Sequence, residues 1–145
     1  MKKILFVNDE MTTGGVARIL NTLLIYLDKE KYEIDLLVLN PRGEMMKEIP
    51  EGINIIEGTN FFKTVDFNMR NIYKNKDFNL LLSKFKLLFY MKTGLINRKI
   101  KIERKKMLTK EYDVEFSAKE GFCSVFVANG TSKIKLNWVQ VDYKE

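Results

Sequence analysis

The sequence predicts an α/β fold in which a parallel sheet of about five strands is flanked by helices, with a basic helical insertion. Three observations lead to this prediction. Short apolar runs recur along the chain, segments with helical spacing of apolar residues lie between them, and turns rich in Gly, Asn or Pro separate the two. This alternation is typical of βαβ units. The chain has 145 residues, of which 46% are hydrophobic, so it is long enough for one domain with a sizeable core.

The first strand and helix are predicted at the start of the chain. Lys3–Asn8 contains a short apolar run that is typical of a buried parallel strand. Gly15–Asp28 is predicted to be a helix, because its apolar residues have the i, i+3, i+4, i+7 spacing of one core-facing stripe. That stripe consists of Val16, Ile19, Leu20, Leu23, Leu24 and Leu27. Arg18 lies roughly 200° around the helix from Val16, so it points away from the core, toward either a ligand or water.

Two further strands follow. Glu33–Leu39 is predicted to be the second strand, and the turn residues 40–43 (Asn-Pro-Arg-Gly) end it. A short helix is predicted over Glu44–Glu48 and a third strand over Ile53–Ile56. The order β-α-β-α-β is the first half of a doubly wound sheet.

The middle of the chain is predicted to be helical and basic. Residues 58–75 are interrupted by Gly, Asn and Asp, so they are interpreted as a loop with at most a turn of helix. Asp77 is a candidate N-cap for a helix over Phe78–Lys92, which Gly94 would end. Its predicted core stripe consists of Phe78, Leu81, Leu82, Phe85, Leu88 and Phe89. A second apolar stripe, on roughly the opposite side, consists of Leu80, Leu87 and Met91. One of the two stripes must be covered by the next helix, a partner domain or a bilayer surface.

The last third of the chain completes the sheet. A basic helix is predicted over Ile96–Thr109 and a fourth strand over Tyr112–Ser117. Glu120 and Gly121 open a short helix that runs through Ala128. The fifth strand is predicted over Lys133–Val139.

Composition excludes several classes of function. The chain has no His, which excludes His-based acid–base catalysis and most zinc sites, and its single Cys, Cys123, forms no disulfide framework. The apolar run after Lys2-Lys3 is too short for a signal peptide. No uncharged apolar run approaches the ~20 residues of a transmembrane helix. These features predict a reducing, cytoplasmic location.

The positive charge is concentrated in one region. The chain carries a net charge of +6, but residues 63–110 contain 14 Lys and Arg against 3 Asp and Glu. A region of this kind indicates an anionic partner, although a solvated helical face explains the same charges.

The turn at Gly14-Gly15 is the first candidate site. Glycine permits positive φ and close approach of another group. The free amides and the dipole of a helix start can bind a phosphate or a carboxylate. A simple tight turn is the alternative interpretation.

Several segments together resemble the N-terminal domain of the GT-B-fold retaining glycosyltransferases, which use nucleotide-sugar donors. The opening K-K-I-L-F-V-N with G-G-V-A-R at 14–18 is similar to the first strand and Gly-Gly loop of that family. Residues 32–39 resemble its second strand. Y-D-V-E at 112–115 followed by E-G-F at 120–122 resembles its strand and helix ahead of the acceptor cleft. Residues 133–142, ending W-V-Q-V-D, are similar to its W-V-H-x-D segment.

The resemblance implies a Rossmann-like domain, residues 1–145, that contains the basic helical region 58–110 and forms one half of an enzyme. It implies donor phosphate or sugar contacts at Gly14, Gly15 and Val16. It implies acceptor contacts at Arg18, Glu120, Gly121, Gln140 and Asp142. The basic region would then face an anionic membrane surface through Lys84, Lys86, Lys92, Arg98 and Lys99. No metal or other cofactor is implied, and the acceptor would be a sugar or a lipid-linked molecule.

Two departures from the family pattern bear on the mechanism. Gln140 stands where the family usually has His, and an amide cannot carry a proton. The second, nucleotide-binding domain of the family has no counterpart in these 145 residues. Glu103 and Glu111 have the spacing of the Glu pair of that domain, but without its Gly-rich context, so the match is taken as coincidence. This half alone is expected to have little or no transferase activity.

Four other functions were weighed. Asn8-Asp9-Glu10 resembles the acidic pocket of a phospho-acceptor receiver domain, but the third strand ends without the phosphorylatable Asp. A dinucleotide-binding enzyme would have G-x-G-x-x-G directly after the first strand. Nucleic-acid binding would use the basic and aromatic residues, but the apolar stripes suit helix packing better, so no nucleic-acid partner is predicted. A non-catalytic subunit that docks a separate donor-binding chain is the closest alternative.

Overall fold

The computed structural model describes residues 1–63, 74 and 76–139, which contain five strands and five α-helices. The strands are β1 Lys2–Asn8, β2 Tyr32–Val38, β3 Asn54–Glu57, β4 Val114–Ser117 and β5 Ile134–Asn137. The helices are α1 Gly15–Tyr26, α2 Asn60–Lys63, α3 Phe78–Thr93, α4 Ile96–Met107 and α5 Phe122–Ala128. A 3₁₀ helix at Glu44–Glu48 occupies the place of the predicted short helix.

The five strands form one all-parallel sheet with the order β3-β2-β1-β4-β5. The predicted α/β fold class, a Rossmann-like sheet flanked by helices, is therefore confirmed. The predicted strands lie within a few residues of the observed ones. Because all the strands are parallel, the loops that follow them leave the sheet at one shared edge, here called the carboxyl edge.

The sheet separates two apolar clusters. On one face, Phe6 and Leu36 pack with Leu20 and Leu24 of α1. On the other face, Leu5 and Leu37 pack with residues of α2 to α5, including Phe62 and Phe126. The alternation of side chains along β1 sends its even-numbered residues to α1 and its odd-numbered residues to the opposite helices. Burial on both faces explains why the strands are continuous apolar runs.

Two carboxylates interrupt the apolar surface on the side of α2 to α5. Asp35 of β2 and Glu115 of β4 both pair in register with Leu5 of β1, and both side chains are buried. Asp35 accepts a hydrogen bond from Tyr112 Oη at 2.5 Å. Glu115 forms an ion pair with Arg104 of α4. Each carboxylate is therefore matched by a donor from the segments that cover the sheet, as buried charge requires.

The first helix largely follows its predicted stripe. Leu20 and Leu24 are fully buried, and Ala17 and Asn21 join them. Ile19, which was predicted to belong to the stripe, is 42% exposed, so that assignment was wrong. Ala17 was overlooked because its small side chain contributes little to an apolar pattern.

The orientation predicted for α3 was also wrong. Leu87, from the predicted second stripe, is the buried residue of this helix. Most of the predicted core stripe is exposed, namely Phe78, Leu82, Phe85, Leu88 and Phe89. Spacing identified both apolar faces but could not tell which one meets the sheet. The predicted ends are confirmed, because the Asp77 side chain accepts from Leu80 N at 3.2 Å and Gly94 has φ 74°.

Candidate ligand-binding crevice

The candidate site lies at the carboxyl edge between β1 and β4. These strands are hydrogen-bonded neighbours, but the chain leaves β1 for α1 on one face and leaves β4 for α5 on the other. The two loops therefore diverge and leave a crevice between them. In open α/β sheets, ligands bind at such a switch point, outside the carboxyl ends of the strands.

An ion pair spans the crevice. Asp9 follows β1, Lys119 follows β4, and Lys119 Nζ contacts Asp9 Oδ2. Asp9 is buried, while about a third of the Lys119 side chain is exposed. No motif in the sequence pointed to Lys119. The available signal was positional, since Asp9 and Lys119 lie within two positions of the ends of strands that are adjacent in a doubly wound sheet.

The β1–α1 loop is fixed by the loop after β2. Met11 N donates to Arg42 O at 2.9 Å, and Met45 N donates to Met11 O at 2.9 Å. Gly43, at φ 112°, permits this close approach, since a Cβ there would lie 2.0 Å from Met11 O. Arg42 Nε also donates to Glu10 Oε2 at 2.6 Å. The first wall of the crevice is thus held mainly by backbone contacts.

The Gly14-Gly15 turn differs from the prediction in one respect. Gly14 is the N-cap of α1 with φ −68°, and neither glycine has positive φ. A Cβ added to either glycine would meet no described atom within 4 Å. Glycine is therefore not required here by the backbone conformation or by packing among the described residues. Its effect is to leave open space beside the first amides of α1.

Val16 and Arg18 occupy different sides of α1. Val16 is half-buried and packs against the apolar cluster beneath the helix. Arg18 is exposed, as predicted from its position off the core stripe. Val16 can therefore offer a backbone amide to a ligand, whereas Arg18 offers its side chain.

The second wall of the crevice is the β4–α5 loop. Gly121 is exposed and caps α5 at φ 96°, a conformation that favours glycine, and Glu120 before it is half-buried. Lys119 O accepts from Ser117 Oγ at 2.6 Å and from Ser124 Oγ at 3.3 Å. These bonds fix the backbone that carries Lys119 and Glu120.

The chain leaves β5 at the same edge. Trp138 N donates to Ser117 O at 3.0 Å, and the Trp138 ring packs on Phe116, with centroids 6.2 Å apart. Gln140 and Asp142, predicted to contact an acceptor, lie outside the described residues. Val139, which follows Trp138, is the last described residue at this edge.

A buried amide adds a further polar group at this edge. Asn40 follows β2, and its backbone nitrogen donates to Asp9 O at 2.7 Å. The side-chain nitrogen Nδ2 of Asn40 is buried and has no hydrogen-bond partner among the described residues. It is therefore an unsatisfied donor, of the kind that a buried water satisfies in many proteins. Nothing in the sequence pattern singled out this residue.

The predicted membrane-facing residues fall into two groups. Lys86, Lys92 and Arg98 are exposed, whereas Lys84 and Lys99 are half-buried. Lys99 Nζ pairs with Glu103 Oε1 at 2.9 Å and lies 5.5 Å from the centre of the Tyr90 ring. Lys99 thus contributes to the packing of α4 against α3, and the exposed group retains its charge at the surface.

A cavity of about 450 Å³ lies at the opposite edge of the sheet, beside the start of β1 and the residues that precede β4 and β5. Its lining includes Lys3, Tyr112 and Asp113. Tyr112 Oη donates a hydrogen bond to Asp35, and the Asp113 carboxylate accepts one from Lys3 N at 2.8 Å. Because these groups already satisfy one another, the crevice remains the better candidate site.

The described residues contain neither a cluster of metal ligands nor a membrane-spanning helix. In residues 1–63, 74 and 76–139, no group of three or more His, Cys, Asp and Glu side chains could hold a metal ion. No helix in that part of the chain is both long and apolar enough to cross a bilayer. Comparisons with family models, curated proteins and solved structures found no match.

Proposed function

We propose that this chain is the N-terminal, acceptor-side half of a GT-B-fold retaining glycosyltransferase that uses nucleotide-sugar donors. The observation that supports this most is that three segments with proposed ligand contacts lie at the same edge of the sheet. The Gly14-Gly15 turn, the loop at Glu120-Gly121 and the end of β5 all lie at the carboxyl edge of the sheet. The sequence resemblance assigns ligand contacts to these same segments.

In this proposal the first amides of α1 contact the donor. The open space beside Gly14 and Gly15 lets a diphosphate or sugar approach the backbone. The amides and helix dipole then stabilise the negative charge that develops on the leaving nucleoside diphosphate. A second Rossmann-like lobe, facing this one across the crevice, holds the nucleotide.

The acceptor is a sugar or a lipid-linked molecule bound to the second wall of the crevice. Glu120, Gly121 and the exposed Arg18 are the described residues proposed to contact it, and Gln140 and Asp142 are proposed from the resemblance alone. The exposed Lys86, Lys92 and Arg98 would turn the basic region toward an anionic leaflet. Each such residue adds about 1 kcal/mol of attraction near the surface. The proposed location is therefore cytoplasmic, peripheral to the inner face of a membrane.

A half-exposed apolar surface on β5, as seen among the described residues, also supports the proposal of a second lobe. Ile134 and Leu136 of β5 lie on the same side of the sheet as α1, and about half of each side chain is exposed. A polypeptide packed against this surface would bury both residues. That polypeptide could belong to a second lobe or to a separate donor-binding chain.

The test uses this chain together with its second lobe. A second Rossmann-like lobe would be sought in the continuing or adjacent reading frame and co-expressed with residues 1–145. Release of nucleoside diphosphate would be measured with a panel of nucleotide sugars. We expect turnover by the pair. Gly15→Val should lower kcat on the order of 100-fold, because its side chain would fill the space beside the α1 amides and keep the developing charge away from them.

The control for this test is Thr22→Val, which places the same β-branched residue type on an exposed position of α1. Both variants should keep the thermal midpoint of the parent, since a Cβ at Gly15 has open space. Unchanged kinetics of Gly15→Val would remove the donor contact. Tight association of the two lobes without sugar transfer would instead identify a non-catalytic docking subunit.

A further inference from the structure

One face of α3 presents an apolar stripe to solvent. Phe78, Leu82, Phe85 and Phe89, here called the outer stripe, follow i, i+4, i+7, i+11 spacing and therefore lie along one side of the helix. Their exposed fractions are 73%, 57%, 55% and 60%. Single exposed apolar residues are common at protein surfaces, but a contiguous row with three Phe indicates an interaction surface.

The outer stripe contributes little to packing within the described fold, where the Phe89 ring meets the ring of the adjacent Tyr90 with centroids 5.8 Å apart. The opposite side of α3 makes the internal contacts. Leu87 is buried in the apolar cluster on the side of the sheet that α2 to α5 cover. The Tyr90 ring packs edge-on against Phe61, with centroids 6.2 Å apart. Among the described residues, the outer stripe is therefore available for a contact with a further surface.

The charges beside the outer stripe restrict the partner. The sequence of α3 contains three Lys and no Asp or Glu. At roughly 100° per residue, Lys86 and Lys92 flank the outer stripe on its two sides, and both are exposed. A second copy of α3 docked on the first would bring these lysines together without an acidic residue from either helix. An anionic surface neutralises them instead.

We propose that α3 docks on an anionic bilayer, with the outer stripe inserted at the boundary of headgroups and acyl chains. Lys86 and Lys92 contact lipid phosphates at the two sides. An apolar face rich in Phe and Leu, flanked by Lys, is the pattern of a helix that lies in the membrane interface. The docking deepens the membrane-facing part of the proposed function, on which it rests, by naming the helix face that inserts. Vesicle binding needs neither donor nor second lobe, so its failure is distinguishable from a failure of sugar transfer.

The test measures vesicle binding by the 145-residue chain. Co-sedimentation would be compared between phosphatidylcholine vesicles and vesicles with about 30% phosphatidylglycerol. We expect binding to the anionic vesicles only, with affinity lowered at least about 10-fold by Phe85→Ala/Phe89→Ala. Lys86→Gln/Lys92→Gln should also weaken binding, and binding should fall with added salt because exposed charges are screened.

Matched controls come from the same chain. Ile25→Ala/Tyr26→Ala removes two exposed apolar side chains from α1, and Lys47→Gln/Lys133→Gln removes two exposed charges elsewhere. Both control variants should bind as the parent does. Equal losses in the controls and in the α3 variants would overturn the assignment to α3.

Insertion is distinguished from surface attraction by a fluorescent reporter. Trp138 is the single Trp, so Phe85→Trp in a Trp138→Phe background reports on the outer stripe alone. We expect a blue shift on binding and quenching by lipids brominated in the acyl chain. Binding without either signal would overturn insertion. A chain that does not bind vesicles but forms concentration-dependent dimers, which Phe85→Ala dissociates, would have a second copy as the partner of α3.

Discussion

Arg104 of α4 and Glu115 of β4 form an ion pair in which both side chains are almost fully removed from solvent. Arg104 Nη1 also donates to Phe126 O at 3.3 Å, and its guanidinium lies 4.6 Å from the centre of the Phe126 ring. The second oxygen of Glu115 accepts from Ser132 N at 3.3 Å. The pair thus joins α4, β4, α5 and the turn before β5.

Replacement of Arg104 by Met should lower the free energy of unfolding by about 3–5 kcal/mol, because Glu115 would remain as an uncompensated buried charge. Urea denaturation measures the change. Arg104→Met/Glu115→Met should be less destabilised than Arg104→Met. Lys31→Ala, which breaks an exposed pair with Asp28, should cost less than about 1 kcal/mol. A loss as small as this in Arg104→Met would contradict the structural importance of the pair.

The loop contact at Gly43 gives a second prediction. Gly43→Ala should destabilise the fold by about 1–3 kcal/mol, because φ is 112° and the new Cβ would collide with Met11 O. Gly14→Ala is the matched control and should cost less than about 1 kcal/mol, since open space surrounds that position. Thermal or urea unfolding distinguishes the two. Equal effects would show that the loops are not held as described.

Tyr112 predicts a loss of stability at alkaline pH. Burial and the hydrogen bond to Asp35 raise the pKa of Tyr112 above its ordinary value of 10.0. Above that pH the unfolded chain releases the phenol proton while the folded chain retains it. The free energy of unfolding should therefore fall as pH rises, with a slope approaching about 1.4 kcal/mol per pH unit for one proton. The hydrogen bond to Glu33 raises the pKa of Lys110, so the deprotonation of Lys110 in the unfolded chain also lowers the free energy of unfolding as pH rises.

The measurement is urea unfolding across the alkaline range. Tyr112→Phe should lose the phenol part of the slope and keep the part due to Lys110. Tyr26→Phe, at a position that is 83% exposed, should behave as the parent does. An identical slope in the two variants would show that Tyr112 does not carry the effect.

Glu103 predicts a loss of stability in acid. Burial alone would raise the pKa of this carboxyl, but hydrogen bonds from Lys99 and Lys106 outweigh burial and lower the pKa below its ordinary value of 4.5. The contribution of ionised Glu103 to the free energy of unfolding is therefore fully present above pH 4.5 and is lost as pH falls through the lowered pKa. In urea unfolding from about pH 6 down to about pH 2, the free energy of unfolding of Glu103→Gln should depend less steeply on pH than that of Glu111→Gln, which alters an exposed residue. The same acid dependence in both would refute this role.

The sheet was predictable because its strands are buried on both faces. Runs such as Ile4–Val7 then stand out against the polar turns, and the parallel order follows from the helices between them. The facing of α3 was not predictable in the same way. Phe78 and Leu87 lie on opposite sides of one helix, both apolar, and spacing carries no information about which side the sheet occupies.

The candidate crevice was predictable in part. Gly14, Gly15 and Gly121 stand out locally, and all three lie at the carboxyl edge. The Asp9–Lys119 pair could not be read from spacing, because its members are far apart in sequence and meet only after β1 and β4 pair. The open space beside Gly14 and Gly15 was not predictable from the sequence either. Glycine at a turn is more often required because the backbone there has positive φ.

The backbone bonds that hold Met11 between Arg42 and Met45 have a consequence for adaptation. The position of the β1–α1 loop is set by main-chain atoms and the buried Met11, so the exposed or half-exposed side chains of Thr12 and Thr13 can be exchanged without displacing the loop. Natural variation or directed evolution could therefore change the side-chain chemistry at these two positions while the backbone that leads to Gly14 and Gly15 stays unchanged.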